Sequence, residues 1–327
     1  IRPQAGQTLD FHGNHIDANS TGYLDVGIYC DRRDNITIKN VHVIGSPRYG
    51  FWFRGCSNIL FENITMDLSR DTPVGLGIRV DGSTGPASNL TLQGNINING
   101  SNGHAIETYS VDGFTIGDVT VTNSGNAGLL LNDSRNGTVG NVTGSYNSPT
   151  GGYATFRTAN TNGPNVTVES VYSRNSGRGF FSVSGSGGTL IKSVDIADTN
   201  IQGIFLQDAY DTHVLSGNVS NGNPNCQWIG TSTNDSSLNV SGCTVQGTPP
   251  STIDLTTSVN GSDVDLSWAV YSINAQNQEV YRDTDPDPSG RVRIATAVSG
   301  TTFTDSGLSD GTYYYWIKIT DTDSDIH

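Results

Sequence analysis

Between Gly103 and Asp211 the chain repeats one pattern at a period of roughly 23 to 27 residues, the spacing of a solenoid rather than of a single closed domain. The pattern is clearest in DGFTIGDVTVTNSGNAGLLLNDS (Asp112 to Ser134), PNVTVESVYSRNSGRGFFSVSGSG (Pro164 to Gly187) and GTLIKSVDIADTNIQGIFLQDAY (Gly188 to Tyr210). Each copy runs from a turn residue into two short β-branched runs, then a Gly-rich corner and a third run opening on Gly. Three short strands per repeat, with no helical periodicity, predict an all-β chain built as a right-handed parallel β-helix. Turns are expected near Asn35, Asn58, Asn89, Gly113, Gly137, Asn165, Gly188 and Asp211, with the last coil closing near Val245. QTLDFHGNHIDAN, within Ile1 to Asn19, reads as the strand-turn-strand start of the first coil.

The texture changes at Gly247. The expected organisation is a β-helix catalytic domain over 1–246, a Pro-marked linker over 247–252 and a second module over 253–327. The second module resembles fibronectin type III: a strand ends at Trp268, another carries EVYR, and Leu308–Tyr313 reads Leu-x-x-Gly-Thr-Tyr, the setting of a tyrosine corner. The sequence stops after YYYWIKITD, so the expectation is that the native chain continues or has been trimmed, and Ile1 in place of Met suggests processing.

A net charge of −14, with Lys only at positions 39, 192 and 318, argues against nucleic acid as a partner. No apolar run reaches membrane-spanning length, so no membrane partner is expected. Cys30, Cys56, Cys226 and Cys243 fall into two close pairs, which read either as disulfides clipping neighbouring coils or as buried thiols. The slots of Cys226 and Cys243 suit pairing better than those of Cys30 and Cys56. Asn35, Asn89 and Asn165 open Asn-x-Thr triplets, but each sits at the same turn of its coil, so stacking in a left-handed conformation is the expected reason for them.

Alternation along the third run assigns faces. Ile28 and Cys30, Phe51 and Phe53, Ile78 and Val80, Leu129 and Leu131 are expected inside. The residues between them form two outward columns. One runs Tyr29, Trp52, Arg79, Glu107, Leu130, Arg157, Phe181, Phe205; the other runs Asp31, Arg54, Asp81, Tyr109, Asn132, Ala159, Val183, Gln207. Aromatic and charged groups side by side suit a groove for a long polar polymer. Arg54, Arg79, Arg135, Arg157 and Arg178 are expected in or near this patch of an acidic protein, which favours an anionic ligand. Trp52, Arg54, Asn132, Arg135, Arg178, Phe181 and Phe205 are therefore the expected substrate-binding residues.

In its coils, over about residues 1–246, the chain resembles the pectin-lyase-like superfamily of right-handed β-helices, which implies a secreted polysaccharide-active enzyme. The Asn-Thr-Asp, Asp-Asp and Gly-His-Gly elements of polygalacturonases are absent, Gly103-His104-Ala105 being the nearest fragment, and so is the Arg-x-Pro-x-x-Arg of pectate lyases. Catalytic residues are therefore read from the columns. For β-elimination on a uronic-acid or sulfated polymer, Arg79 and Arg157 would hold the anionic group and Tyr109 or His104 would move the proton. For an inverting hydrolase, Glu107 and Asp81 would be the pair, about 8 Å apart at the backbone, with Arg79 lowering the Glu107 pKa. A third reading is a non-catalytic, tailspike-like glycan-binding helix. No cofactor is required, although calcium at Asp31, Asp81 or Asp208 could replace one arginine.

Overall fold

The computed structural model describes residues 1–18, 26–45, 47–69, 75–230, 236–244, 252–271 and 275–321. The expected closing of the last coil near Val245 and most of the expected linker lie outside the described residues. The chain divides into two compact units, Ile1–Thr248 and Pro249–His327.

The first unit is a right-handed parallel β-helix of about nine coils. The third runs stack into one nine-stranded parallel sheet: Val26–Asp31, Tyr49–Arg54, Leu76–Asp81, Ile106–Tyr109, Leu129–Asn132, Ala154–Ala159, Arg178–Val183, Ile204–Gln207 and Cys226–Ile229. The first and second runs differ from expectation. In several coils they join into one long strand, as in Ile36–Gly45 and Ile59–Leu68, and the corner between them is a single left-handed residue, Asn40 (φ 54°) or Asn63 (φ 53°). One residue at positive φ turns the chain without breaking the hydrogen-bond ladder, so two faces share one sheet of 13 strands.

The turn preceding the first run follows the sequence reading. Asn35, Asn58, Asn89 and Asn165 all have φ between 53° and 61°. The side-chain amide of Asn58 donates to Asn35 Oδ1 (3.1 Å), and that of Asn89 to Asn58 Oδ1 (2.9 Å). In the sixth coil the left-handed residue is Asn136 rather than Gly137, and it receives the Asn165 amide at 2.9 Å. These asparagines stack, each side-chain amide donating to the asparagine one coil back.

The glycine that opens the third run is required by the next coil. A Cβ on Gly77 would collide with the Ala105 carbonyl oxygen and reach within 2.9 Å of Ile98 Cγ2. Without it, the corner closes tightly enough for the third run to pack inward. Ile28, Phe51, Phe53, Ile78, Leu129, Leu131, Phe156, Phe180, Ile204 and Leu206 are then fully buried in one continuous core. Cys30 is bonded to Cys56 near the first coils, and Cys226 to Cys243 in the last.

The second unit holds two three-stranded antiparallel sheets, one of Thr252–Asn260, Asp263–Tyr271 and Thr302–Asp305, the other of Val292–Ala295, Ala275–Asp283 and Tyr314–Asp321. Leu266, Trp268 and Val280 form its buried core. The Trp268 indole donates to Gln278 Oε1 at 2.7 Å, and the Tyr313 hydroxyl reaches back to the Ser309 carbonyl at 3.1 Å.

Candidate functional site

The nine-stranded sheet places the outward columns in register. Tyr29, Trp52, Arg79, Glu107, Leu130, Arg157, Phe181 and Phe205 are successive partners across neighbouring strands, and so are Asp31, Arg54, Asp81, Tyr109 and Asn132. Outward, however, does not mean open. Leu130, Ala159, Phe181, Val183 and Phe205 form a second apolar cluster with Ala127 and Ala154, and Tyr153 packs against it. Phe181 and Phe205 are only 6% and 7% exposed, stacked at 5.2 Å between centroids. They are not the bare sugar platforms expected from the sequence, because guanidinium groups lie over them: Arg157 and Arg178 over Phe181 (5.1 and 4.5 Å), and Arg178 over Phe205 (5.0 Å).

At the middle of the sheet a polar cluster forms around Arg79. Its NH1 donates to Glu107 Oε2 at 2.6 Å, and its Nε and NH2 each lie 3.2 Å from Asp81 Oδ2. The other Asp81 oxygen accepts from the Ser83 backbone N–H (2.9 Å) and the Ser83 hydroxyl. Burial pushes the Asp81 pKa up, but the Ser83 hydrogen bonds and the Arg79 charge outweigh it and hold this carboxylate below the usual range. Both carboxylates grip one guanidinium, so Arg79 occupies the space between them.

Glu107 behaves in the opposite way. It is 3% exposed, and burial raises its pKa above the ordinary value despite the Arg79 charge and the hydrogen bond from Asn132 Nδ2 to Oε1 (3.1 Å); the nearby Asp81 charge adds to the rise. Arg79 does pull it down, as expected from the sequence, but burial outweighs that pull. Asn132 is itself fixed by the Asn160 amide, which donates to its Oδ1 at 2.9 Å. Sequence reading missed Asn160 because it follows the strand, at φ 55°.

His104 is the second deep group. Its Nδ1 accepts the Ala127 backbone N–H at 3.0 Å and its ring packs edge-on against Tyr153 at 5.4 Å. Burial, then the charges of Arg157 and Arg79, pull its pKa down to about 3, so it is neutral at ordinary pH with the proton on Nε2. Tyr109 lies under the Arg79 guanidinium at 5.2 Å, on the same strand as Glu107.

Toward the first coil, Trp52 stacks on Tyr49 (4.7 Å) and lies 5.4 Å from Tyr29, with Arg54 over its ring at 4.9 Å. Arg135 does not join the patch. It begins a strand of the other sheet and pairs with Asp112 at 3.0 Å, because it lies before the first run of its coil rather than in the third. The calcium residues do not converge either: Asp31 and Asp208 are exposed on separate coils, and both Asp81 oxygens are taken. Among the described residues no group of three or more His, Cys, Asp or Glu is placed to hold a metal ion. No helix among them is long and apolar enough to cross a membrane.

Residues 104–269, just over half of the chain, match the family described as right handed beta helix region. Residues 4–163 match a family described as periplasmic copper-binding protein (NosD); the described residues provide no ligand cluster for copper. No curated protein matches the chain. Among solved structures, the enzymatically active domain of bacteriophage CBA120 tailspike protein 2 is 13% identical with a TM-score of 0.41, over 94% of this chain and 69% of that one. The full-length tailspike protein 2 from an Escherichia coli O157:H7 bacteriophage is 13% identical with a TM-score of 0.39, over 94% of this chain and 62% of that one.

Proposed function

We propose that this chain, which belongs to the right-handed β-helix family, is a polysaccharide-cleaving enzyme whose proton-transferring group is Glu107. One observation carries the reading. On an outward column, among partly exposed Arg79, Tyr109 and Arg157, a carboxyl group is buried, held by two donors and shifted toward protonation. A carboxyl whose pKa moves up toward the working pH is suited to take and return a proton.

Elimination fits this cluster better than hydrolysis by a carboxylate pair. The hydrolytic pair needs a second carboxylate free to activate water. The Arg79 guanidinium fills the space between Asp81 and Glu107 where that water would have to stand, so Asp81 serves to aim Arg79. Elimination asks for less: one group that takes the proton beside an acidic carbon and returns it to the leaving oxygen, in a field that stabilises the negative charge formed. Tyr109, two residues along the same strand and under Arg79, is the hydroxyl we assign to share the return step.

Two disulfides and the match to a family described as periplasmic support an extracellular or periplasmic setting for this activity. The second unit, with its Tyr313 hydroxyl bonded to the Ser309 carbonyl, is proposed as a fibronectin type III-like spacer.

The test is incubation with pectate, alginate, a glycosaminoglycan and a sulfated galactan, following reducing ends and ultraviolet absorbance together. Elimination gives both signals, and Glu107→Gln should lower the rate by about 10²- to 10⁴-fold. Reducing ends without absorbance would return the assignment to hydrolysis. Full activity in Glu107→Gln removes this residue from the mechanism, and retention of polymer without cleavage makes the helix a binding module.

A further inference from the structure

The guanidinium groups around Glu107 are not equivalent. Arg79 is fully committed to Asp81 and Glu107. Arg157, three coils beyond Arg79 and two beyond Glu107, makes no hydrogen bond and no ion pair among the described residues, and its Nε is buried without an acceptor. The side chain is nevertheless fixed, lying over the rings of Tyr153 (4.8 Å) and Phe181 (5.1 Å). Its neighbour Arg178 covers the other part of Phe181 and donates only to neutral groups, the Gln202 amide oxygen at 2.8 Å and the Gly152 carbonyl.

Two cations thus share one aromatic ring with no acidic side chain bonded to either. Their repulsion registers on their surroundings: burial and then the Arg157 charge pull Arg178 down to about 10. Two guanidinium groups brought this close repel each other, a cost that a bound anion would relieve. Only the Nε is closed off; the terminal N–H groups of Arg157 have no acceptor among the described residues and are open to one from outside. A guanidinium held in place over two rings loses little freedom on binding, and its planar fork of N–H donors matches two oxygens of one anion.

We infer that Arg157, with Arg178 beside it, seats an anionic group, a carboxylate or a sulfate, carried by a polysaccharide lying along the outward columns. The inference rests on the polysaccharide reading for the identity of the ligand, and it assigns the seat to Arg157 rather than to Arg79. It makes charge on the sugar a condition of binding. The seat lies two strand steps, about 10 Å, from Glu107 along the same column, close enough for one chain to touch both.

The test is retardation of the full chain in native gels containing polygalacturonate, dextran sulfate or neutral dextran. At least one anionic polymer should retard the protein and dextran should not; the polymer that retards more strongly distinguishes carboxylate from sulfate. Arg157→Gln should weaken that retardation by about 10- to 100-fold. Arg135→Gln, the same loss of charge on the other sheet, should behave as the parent does. Arg157→Lys keeps the charge and the stem and guards against a variant that fails to fold; it should lose several-fold, because an ammonium cannot make two parallel bonds. Retardation by neither anionic polymer, or equal retardation of the Arg157 and Arg135 variants, overturns the seat. Binding is read without turnover, so anionic retention through Arg157 with no release of reducing ends would keep the seat and discard the cleavage reading.

Discussion

Glu107 and Asp81 share one guanidinium and titrate in opposite directions, and that difference can be tested without knowing the substrate. The folded chain holds a proton on Glu107 more tightly than the unfolded chain does, chiefly through burial. Its contribution to stability is therefore fully present below the ordinary glutamate range and is lost as pH rises through the elevated one. Asp81 is held low, so its contribution is present above the ordinary aspartate range and is lost as pH falls. Melting temperatures at pH 4 and pH 8 should then move Glu107→Gln upward relative to the parent as pH rises. A difference that stays flat across that window would remove the raised Glu107 from the account. Asp81→Asn should cost about 2–4 kcal/mol at neutral pH in denaturant unfolding, because it leaves Arg79 partly buried with half its acceptors neutralised. That cost should shrink toward pH 3.

At the scale of the coil, the demand on each position is set by the coil stacked beside it. Asn89 sits at φ 53° and donates to Asn58. Replacing it with Ala loses the ladder bond and strains the backbone, for about 1–2 kcal/mol; Asn89→Gly loses only the bond and should cost less. If Ala is tolerated as well as Gly, the left-handed turn is not what selects Asn there. Gly77→Ala should be worse than either, about 3 kcal/mol or more, since its Cβ meets backbone rather than a mobile side chain. This logic also explains what could be read from the sequence. The opening glycine and the two-residue alternation give register, so both columns were legible residue by residue. Whether an outward residue meets solvent was not, because the cover depends on how neighbouring side chains fold over it: Tyr153 and Arg157 pack on Phe181 from the coil before, and Arg178 from the start of the same strand. Column spacing says that Arg79 and Glu107 can touch, but not that Arg79 also takes Asp81 and that Arg157 takes nothing. The rise in the Glu107 pKa was illegible for the same reason, since depth is set by the neighbouring coils.

Across the whole helix, the two disulfides stand where the stacking runs out. Within the nine-stranded sheet every inner strand is paired on both sides, whereas Val26–Asp31 and Cys226–Ile229 are outermost and paired on one, and a solenoid frays from such strands. Cys30–Cys56 ties strand Val26–Asp31 to the turn after Tyr49–Arg54, and Cys226–Cys243 closes the last coil. The loops they close, 26 and 17 residues by sequence separation, correspond to about 3 kcal/mol each in the chain-entropy account. In a quasi-one-dimensional fold that stabilisation stays local, so reduction should expose the ends before the middle. Hydrogen exchange after dithiothreitol treatment should accelerate over 26–56 and 226–243 while 106–132, the coils carrying Glu107 and Asn132, keep their protection. Any cleavage activity should then survive reduction at temperatures below the melting of the central coils, and disappear with it when the two transitions are brought together by heating. Uniform acceleration along the helix would mean that the coils unfold as one cooperative unit, and that the disulfides stabilise the site as directly as they stabilise the ends.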